Sequence, residues 1–320
     1  MTPTFRIPPT GPAAETLDYG VAPPGYRLPP ATHVGLVRLQ VGDLTRSLAY
    51  YERVLGLRVL ERDAGSAKLG PVESDTPALV ELHERRGAHP LPRRGRLGLY
   101  HFAILLPDRA ALGRFVRHLA DIGEYAGMSD HLVSEAVYLT DPDGLGIEVY
   151  ADRPRAQWRH HGRQLAMATE PLDVESVVRA AGDARWSGMP AGTVMGHVHL
   201  FVGDLDEAER FYHVGLGLDK VVWSYPGALF LSAGGYHHHL GTNTWAAGAA
   251  SAKEGEARLL EWELLLPTVA DARAALASLK KTGVAMEAAP DGGLVRDPWG
   301  TAVRVKGPMS AAASMRQRDS

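Results

Sequence analysis

An alternating run of apolar and polar residues, followed by a longer segment with apolar residues three or four positions apart, recurs along the chain. VRLQVGDLTRSLAYYERVLGLRVL (37–60) shows it first, and VHLFVGDLDEAERFYHVGLGLDKV (198–221) repeats it. VGDL, a tyrosine (Tyr51 and Tyr212) and LGL stand at matching offsets in the two segments. In each, the pattern predicts a strand, an aspartate that caps a helix, and a glycine that ends the helix.

The same strand–helix plan appears twice more, at 100–123 and 260–283, and the similar turns TDPDG and RDPWG then precede a final strand. The sequence therefore predicts four copies of a βαβββ module, at 33–83, 99–150, 194–240 and 259–306. Around them we assign an N-terminal arm (1–30), a first pair of modules (31–153), a linker (154–193), a second pair (194–306) and a disordered tail (307–320).

Composition narrows the class of protein. The 320 residues are 45% hydrophobic and 22% charged, as in an ordinary globular protein, and the net charge is -3 without a basic stripe, which argues against nucleic acid as a partner. No apolar run is long enough for a membrane span, and the N-terminus lacks an export signal, so we expect a cytoplasmic protein. The chain has no cysteine. Any metal must therefore be bound by His, Asp or Glu.

Potential metal ligands stand at repeated positions of the modules. Seven residues before the position that follows each first strand are Leu36, His101, His197 and Glu261. On the last strands, the corresponding residues are Glu81, Glu148, His238 and Arg304. Only the second and third modules thus have a histidine on the first strand, and only the second combines it with a glutamate. The first and fourth modules are degenerate, because a leucine or an arginine cannot bind a cation.

Two histidines and one carboxylate that bind one ion would leave three of its coordination positions free. This is the facial arrangement of non-haem Fe(II) oxygenases. Residues i and i+2 of a strand share a face, so His199 should point the same way as His197. Either histidine alone would be read as an ordinary strand residue, but both at the same offset, together with Glu148, favour a metal site.

The stretch DHLVSEAVYLTDPDGLGIEVY (130–150) adds a spaced pattern to these ligands. His131 is followed by an apolar residue and Tyr138, then an acidic residue with proline, a glycine and Glu148, and Ser129 is the one departure from the pattern. The spacing resembles the ring-cleavage signature of the type I extradiol dioxygenases. The four modules likewise resemble the vicinal oxygen chelate superfamily, which includes those enzymes, glyoxalase I and fosfomycin-resistance proteins. Within it, the chain resembles the catechol-2,3-dioxygenase-like and hydroquinone-dioxygenase group.

The resemblance implies an α+β fold in which the modules form two open, cup-shaped, β-barrel-like sheets with the helices outside. It also implies His101, Glu148 and His197 as metal ligands. Because these belong to the second and third modules, we predict that those two modules pair with each other and that the first pairs with the fourth.

The resemblance further implies roles for residues around the metal. His131 and Tyr138 would form hydrogen bonds to substrate and oxygen, His238 would be the acid–base catalyst, and we expect His199 to contact substrate. Strand pleating would turn His237 and His239 to the opposite face, so we predict that both are exposed.

The implied function is extradiol cleavage of a catechol or hydroquinone-type aromatic ring by O₂, with Fe(II), or alternatively Mn(II), as cofactor. We expect a homo-oligomer whose partners are this small aromatic substrate and O₂. Two alternatives stay open on the sequence. One is a different metal-dependent enzyme of this fold, a glyoxalase-like isomerase or a thiol transferase. The other is a protein that binds an aromatic compound without catalysis.

Overall fold

The computed structural model describes residues 19–71, 77–92 and 95–308. The predicted tail from 309 onward and the first 18 residues of the predicted arm lie outside the described residues. Within the described ranges, no helix is both long and apolar enough to cross a membrane.

Four βαβββ modules make up most of the structure. Module one contains β1 (His33–Val41), α1 (Leu44–Arg53), β2 (Arg58–Arg62), β3 (Ser66–Gly70) and β4 (Val80–Glu84). Module two contains β5 (Gly98–Leu105), α2 (Arg109–Asp121), β6 (Gly127–Asp130), β7 (Ser134–Thr140) and β8 (Gly146–Asp152). A segment with a short 3₁₀ turn (Arg155–Gln157), β9 (His160–His161), β10 (Gln164–Leu165) and α3 (Val174–Ala180) follows.

Modules three and four repeat the order of elements. Module three contains β11 (Val194–Phe201), α4 (Leu205–Ala208) continued by a π-helical stretch (Glu209–Gly215), β12 (Asp219–Val222), β13 (Ala228–Ser232) and β14 (Leu240–Asn243). Module four contains β15 (Arg258–Leu265), α5 (Val269–Lys280), β16 (Met286–Ala289), β17 (Gly292–Arg296) and β18 (Ala302–Lys306). The last strand of module three thus lies beyond residue 239, later than the repeat alone suggested.

The modules pair crosswise into two eight-stranded sheets. Sheet I, from modules one and four, has the order β16-β17-β18-β15-β1-β4-β3-β2, and sheet II, from modules three and two, has the order β12-β13-β14-β11-β5-β8-β7-β6. In each sheet the two first strands run antiparallel to each other at the centre. This confirms the predicted α+β class and the pairing of module two with module three.

The first helix of each module begins after a capping residue, at the position that the sequence predicted. Asp43, Asp108, Asp204 and Thr268 each have extended backbone, and each side chain accepts a hydrogen bond from the backbone N–H three residues later. Such a cap satisfies an N–H that has no partner within the helix. The buried faces of the helices join a single large apolar core that includes strands of both sheets.

Two tyrosine–aspartate hydrogen bonds connect the sheets in a symmetric way. The hydroxyl of Tyr51 in α1 donates to Asp141 in the β7–β8 turn at 3.2 Å, and the hydroxyl of Tyr212 donates to Asp297 in the β17–β18 turn at 2.9 Å. All four residues are buried. In both hydrogen bonds the donor is the repeated tyrosine and the acceptor is the aspartate of the repeated Asp-Pro turn. One bond joins module one to module two, and the other joins module three to module four.

In sheet I, charged residues occupy the places that correspond to the candidate ligands of sheet II. Arg304 pairs with Glu263 in sheet I, and Glu148 pairs with Ala103 in sheet II. Arg304 therefore occupies the position equivalent to Glu148. Arg304 forms a two-bonded ion pair with Glu261, at 2.6 and 2.8 Å. The position equivalent to Glu148 is thus occupied by a cation that is paired with a carboxylate.

A second guanidinium bridges modules one and four within the same cluster. Arg38 binds Glu81 at 2.7 Å, contacts Glu261 and lies 3.5 Å from Glu263, while Lys306 binds Glu263 at 2.8 Å. Three carboxylates therefore face three cations at the centre of sheet I.

The predicted linker and arm are packed parts of the structure. Helix α3 contacts α2, and the side chain of Arg109 donates to the carbonyl of Ser176. Leu28 of the arm is buried in the core, and Arg27 forms an ion pair with Asp219 of module three. The segment between modules two and three is thus packed against the modules and does not only connect them.

Replacing Arg38 with leucine should destabilise the fold, because Glu81, Glu261 and Glu263 would keep too few cations around them. We expect a loss of about 3 kcal/mol in the free energy of unfolding, typical of removing one partner from a buried ion pair. Urea denaturation measures it. The matched control is Arg85→Leu, whose partner Glu254 is largely exposed, and where the loss should be much smaller because water screens the pair. Equal losses in the two variants would contradict the importance of the cluster.

A pH-dependent contribution should come from Asp141, because burial raises the pKa of its carboxyl from 3.8 to about 7. A folded-state pKa above the unfolded one favours folding at low pH, and this contribution disappears as the pH rises through the folded value. Asparagine has no carboxyl proton to lose and so gains no buried charge as the pH rises. The stability of Asp141→Asn relative to the parent should therefore improve between about pH 4 and pH 7, by roughly 1.4 kcal/mol per pH unit at most. Denaturation at several pH values tests this, and a constant difference would contradict it.

Candidate active site

Three neighbouring strands at the centre of sheet II bring three potential ligands together. His101 lies on β5, Glu148 on the parallel neighbour β8, and His197 on the antiparallel neighbour β11. The Oε2 atom of Glu148 lies 3.0 Å from Nε2 of His101 and 3.2 Å from Nε2 of His197, and the two Nε2 atoms are 3.4 Å apart. All three side chains are buried. The residues that the sequence singled out therefore converge on one point.

A β-bulge at Gly196 orients His197. Along the β5–β11 pair, Met195 is opposite Ile104 and His197 is opposite Ala103, so β11 has one extra residue at this place. Bulges commonly re-aim a side chain beside a functional site. Gly196 also leaves room for its neighbour, since a Cβ atom there would lie 1.9 Å from the hydroxyl of Tyr150.

The charge states of the three residues suit metal binding. Burial lowers the pKa of both His101 and His197, which keeps the imidazoles neutral. Burial alone would raise the pKa of Glu148, but the two imidazoles and their hydrogen bonds outweigh it and hold the pKa well below its usual value. A neutral imidazole and an ionised carboxylate are the forms that bind a metal.

The distances also fit a single divalent ion. Ligand atoms about 2.1 Å from an ion and at right angles to each other would lie about 3.0 Å apart, close to the three separations observed. The Nδ1 atoms of His101 and His197 are buried and have no hydrogen-bond partner among the described residues. Metal-binding histidines usually donate this second N–H to an acceptor, so these two imidazoles are oriented by packing instead.

Beside the three residues lies a cavity of about 190 Å³. His131, Tyr138, His199 and His238 all line it, so the structure brings together the residues that the sequence predicted around the metal. The cavity also has an apolar wall that sequence reasoning missed, formed by Tyr100, Met167, Tyr225, Phe230 and Trp245. The signal for these residues was weak, since isolated aromatic residues on strands and loops are ordinary core residues.

His131 and Tyr138 are bonded to each other across the β6–β7 hairpin. Nδ1 of His131 donates to the carbonyl of Ala168 at 2.7 Å, because a carbonyl can only accept. A neutral His131 then has an unprotonated Nε2, which accepts from the hydroxyl of Tyr138 at 2.5 Å. Ala168 belongs to the predicted linker, which therefore fixes the tautomer of His131 and forms part of the cavity wall.

His199 is held by a glycine and an amide. It stands opposite Gly241 of β14, where a Cβ atom would lie 2.8 Å from the ring. Nδ2 of Asn243 lies 3.0 Å from Nε2 of His199, and Oδ1 of Asn243 accepts from the backbone N–H of Trp245. The register thus makes Gly241, and not His238, the counterpart of Glu148, which corrects the strand alignment made from the sequence.

The three consecutive histidines 237–239 precede β14 in a loop, so strand pleating does not apply to them. The prediction that His237 and His239 are exposed is wrong, because their exposed fractions are 0% and 7%. His239 accepts at Nδ1 from the backbone N–H of Ala233, and burial lowers its pKa to about 3. His238 does line the cavity as expected, with its ring centroid 4.0 Å from that of His197.

The family of the chain follows from comparison with known proteins. The model of the Glyoxalase/Bleomycin resistance protein/Dioxygenase superfamily matches residues 32–149 and 194–305. The chain belongs to this superfamily, which confirms the resemblance found in the sequence.

A known protein is similar to this chain in sequence, and solved structures are similar to it in fold. The chain is 43% identical over 271 residues to a catechol-2,3-dioxygenase of Bacillus subtilis (strain 168), across 83% of this chain and 94% of that protein. A solved structure of a putative dioxygenase from Bacillus subtilis has the same fold, with a TM-score of 0.59 at 13% identity over 90% of this chain and 88% of that one. Glyoxalase I from Zea mays also shares the fold, with a TM-score of 0.51 at 20% identity over 85% and 91%.

Substituting glutamine for Glu148 should abolish metal retention, because a neutral amide is a poor ligand for a hard divalent ion that has two neutral imidazoles. The metal content of anaerobically loaded protein after gel filtration measures this. The matched control is Arg304→Gln, at the equivalent register position of sheet I, which should retain metal like the parent. Retention of stoichiometric metal by Glu148→Gln would contradict the ligand assignment.

Proposed function

We propose that the protein is an Fe(II)-dependent extradiol dioxygenase that opens the ring of a catechol or hydroquinone-type monoaromatic substrate with O₂. The observation that carries the proposal is the convergence of His101, Glu148 and His197 beside a cavity with an apolar wall. Two imidazoles and one carboxylate on one side of an ion leave the opposite side for substrate and O₂. The relative that is named a catechol-2,3-dioxygenase supports this reaction class.

His101, Glu148 and His197 would hold the iron. Bound there, iron supplies Lewis acidity toward the substrate hydroxyls and a path for electrons from the ring to O₂. The overall reaction needs no external reductant, since the ring supplies the electrons, one ring C–C bond breaks and both oxygen atoms enter the product.

The protein's own side chains would manage protons and orientation. Burial, together with His197 and His237, holds the pKa of His238 well below its usual value, so a neutral imidazole is present to accept a proton from a ring hydroxyl. Burial also raises the pKa of Tyr138 well above its usual value, which keeps its hydroxyl protonated. Without substrate this proton is donated to His131. With substrate bound, the hydroxyl of Tyr138 would instead donate to a substrate oxygen and stabilise charge that develops there, while His131 holds Tyr138 in place.

Substrate would lie against the apolar wall of the cavity. Tyr100 packs edge-on against His199 and Trp245, with ring centroids 5.1 and 5.7 Å away. Tyr225 packs in the same way on Phe230, at 5.7 Å. Flat aromatic substrates gain from such rings through apolar burial and edge or offset stacking.

Oxygen uptake tests the proposed function. The full-length chain, loaded anaerobically with Fe(II), is mixed with aerated buffer and catechol, 4-methylcatechol or hydroquinone in turn. We expect O₂ to be consumed mole for mole with a ring-opened product and without hydrogen peroxide. Glu148→Gln should show no uptake, and Arg304→Gln should behave like the parent.

Other outcomes would overturn the proposal in favour of a different function. Isomerisation of a glutathione hemithioacetal or thiol transfer, without O₂ uptake, would place the protein with other metal-dependent enzymes of the superfamily. Tight binding of the aromatic compounds with no uptake would indicate a protein that binds an aromatic ligand without catalysis.

A further inference from the structure

A chain of hydrogen bonds leads from a carboxylate at the end of strand β8 to His238. Oδ1 of Asp152 lies 2.9 Å from Nε2 of His237, and Nδ1 of His237 lies 2.8 Å from Nδ1 of His238. His237 is fully buried between the two. Neither Asp152 nor His237 has been assigned a part in the reaction itself. His237 contacts His238 directly, and Asp152 is connected to His238 through His237.

The donors and acceptors of the chain can be assigned in order. An ionised carboxylate only accepts, so the hydrogen bond to Asp152 requires the proton of His237 on Nε2. In a neutral imidazole the other nitrogen is then an acceptor. The contact between the two Nδ1 atoms therefore requires His238 to be the donor, with its proton on Nδ1 and a free electron pair on Nε2.

We propose that Asp152 and His237 are positioning residues that fix the tautomer and orientation of His238, so that Nε2 of His238 is ready to accept a proton from the bound substrate. The inference rests on the proposed function, since it assigns His238 that task. The logic is the same as in a carboxylate–imidazole pair that orients a general base, with one more imidazole between carboxylate and base.

The packing around the chain restricts His238 to this geometry. Its ring lies against His197, with the centroids 4.0 Å apart, and edge-on to Phe230 at 5.0 Å. Nδ1 of the His238 ring is in hydrogen-bond contact with His237. A ring held on two sides and hydrogen-bonded on a third has little freedom to turn, which is what an acid–base group requires.

Strand β8 carries both the candidate ligand and the start of the chain. Glu148, Tyr150 and Asp152 occupy alternate positions of this strand and so share a face. Asp152 also accepts from the hydroxyl of Tyr236 at 3.2 Å, and the hydroxyls of Tyr236 and Tyr150 are 2.6 Å apart. One strand of module two thus sets the position of the metal ligand and, through a loop of module three, that of the base.

The tautomer of His238 can be measured without any turnover. Long-range ¹H–¹⁵N correlation spectra of the full-length, metal-free chain with labelled histidine distinguish protonated from unprotonated ring nitrogens. The signals of His238 are assigned by their loss in His238→Phe. We expect protonated Nδ1 and unprotonated Nε2 in the parent protein. A proton on Nε2 of His238 would overturn the proposal.

Kinetics of the Fe(II)-loaded variants provide the second test. His237→Phe removes both hydrogen bonds and should lower kcat by about 10- to 100-fold, the usual cost of removing an outer partner of a site residue. Metal content and anaerobic substrate affinity should not change. His237→Asn, whose amide oxygen lies near the former Nδ1, should recover part of the loss. Asp152→Leu should lower kcat in the same direction.

The matched control is His239→Asn. His239 is a buried neighbour in the same loop, and its Nδ1 atom is hydrogen-bonded to Ser232 and Ala233. This variant should keep the parent kcat. An unchanged kcat in His237→Phe would overturn the proposal, as would equal losses in His237→Asn and His237→Phe. If the parent protein consumed no O₂ at all, the proposed function would fail, while the spectra would still decide the tautomer of His238.

Discussion

The antiparallel pairing of β5 with β11 is the constraint on which the rest of the structure depends. Neither strand alone carries more than part of the candidate metal site, because His101 lies on β5, His197 on β11 and Glu148 on β8, which pairs with β5. Side chains alternate between the faces of a strand, so a slip of one residue in this register would turn one histidine out of the cup. The bulge at Gly196 is part of this register.

Sheet I shows what the same framework does without a metal site. Its two central strands pair as β5 and β11 do, but Leu36, Glu261 and Arg304 replace the three candidate ligands. Glu261 is bound by two guanidinium groups, so a built-in cation neutralises a carboxylate where sheet II would use a bound ion. The tyrosine–aspartate bonds hold the two sheets in a fixed relation. In sheet I, side chains neutralise the buried carboxylates. In sheet II, the carboxylate and the two imidazoles are free to bind a metal, and sheet I supports this sheet.

Much of the fold and of the candidate site could be predicted from the sequence because the chain repeats itself. The offset of His101 and His197 from the helix caps reflects the equal length of the first strands, and Glu148 lies at a fixed place on the last strand of its module. The pairing of modules followed from the need to join these ligands. Glu148 and Asp152 also share a strand face, so alternation along β8 could have pointed to Asp152 as well.

Other parts of the site could not be predicted in this way, since they depend on loops. The alternation rule failed for His237 and His239 because these residues precede β14 in a loop that turns all three histidines inward. The role of Ala168 depends on a segment between modules that has no counterpart in the repeat. The apolar wall comes from five residues of separate strands and loops that only the folded chain brings together.

The most direct measurement is an anaerobic calorimetric titration of the metal-free, full-length protein with Fe(II). One binding site per chain is the expected result, because sheet II offers three converging ligands and sheet I offers a leucine and an ion pair at the equivalent places. Binding of no iron would contradict the assignment of His101, Glu148 and His197 as ligands. Two equal sites per chain would contradict the distinction between the sheets.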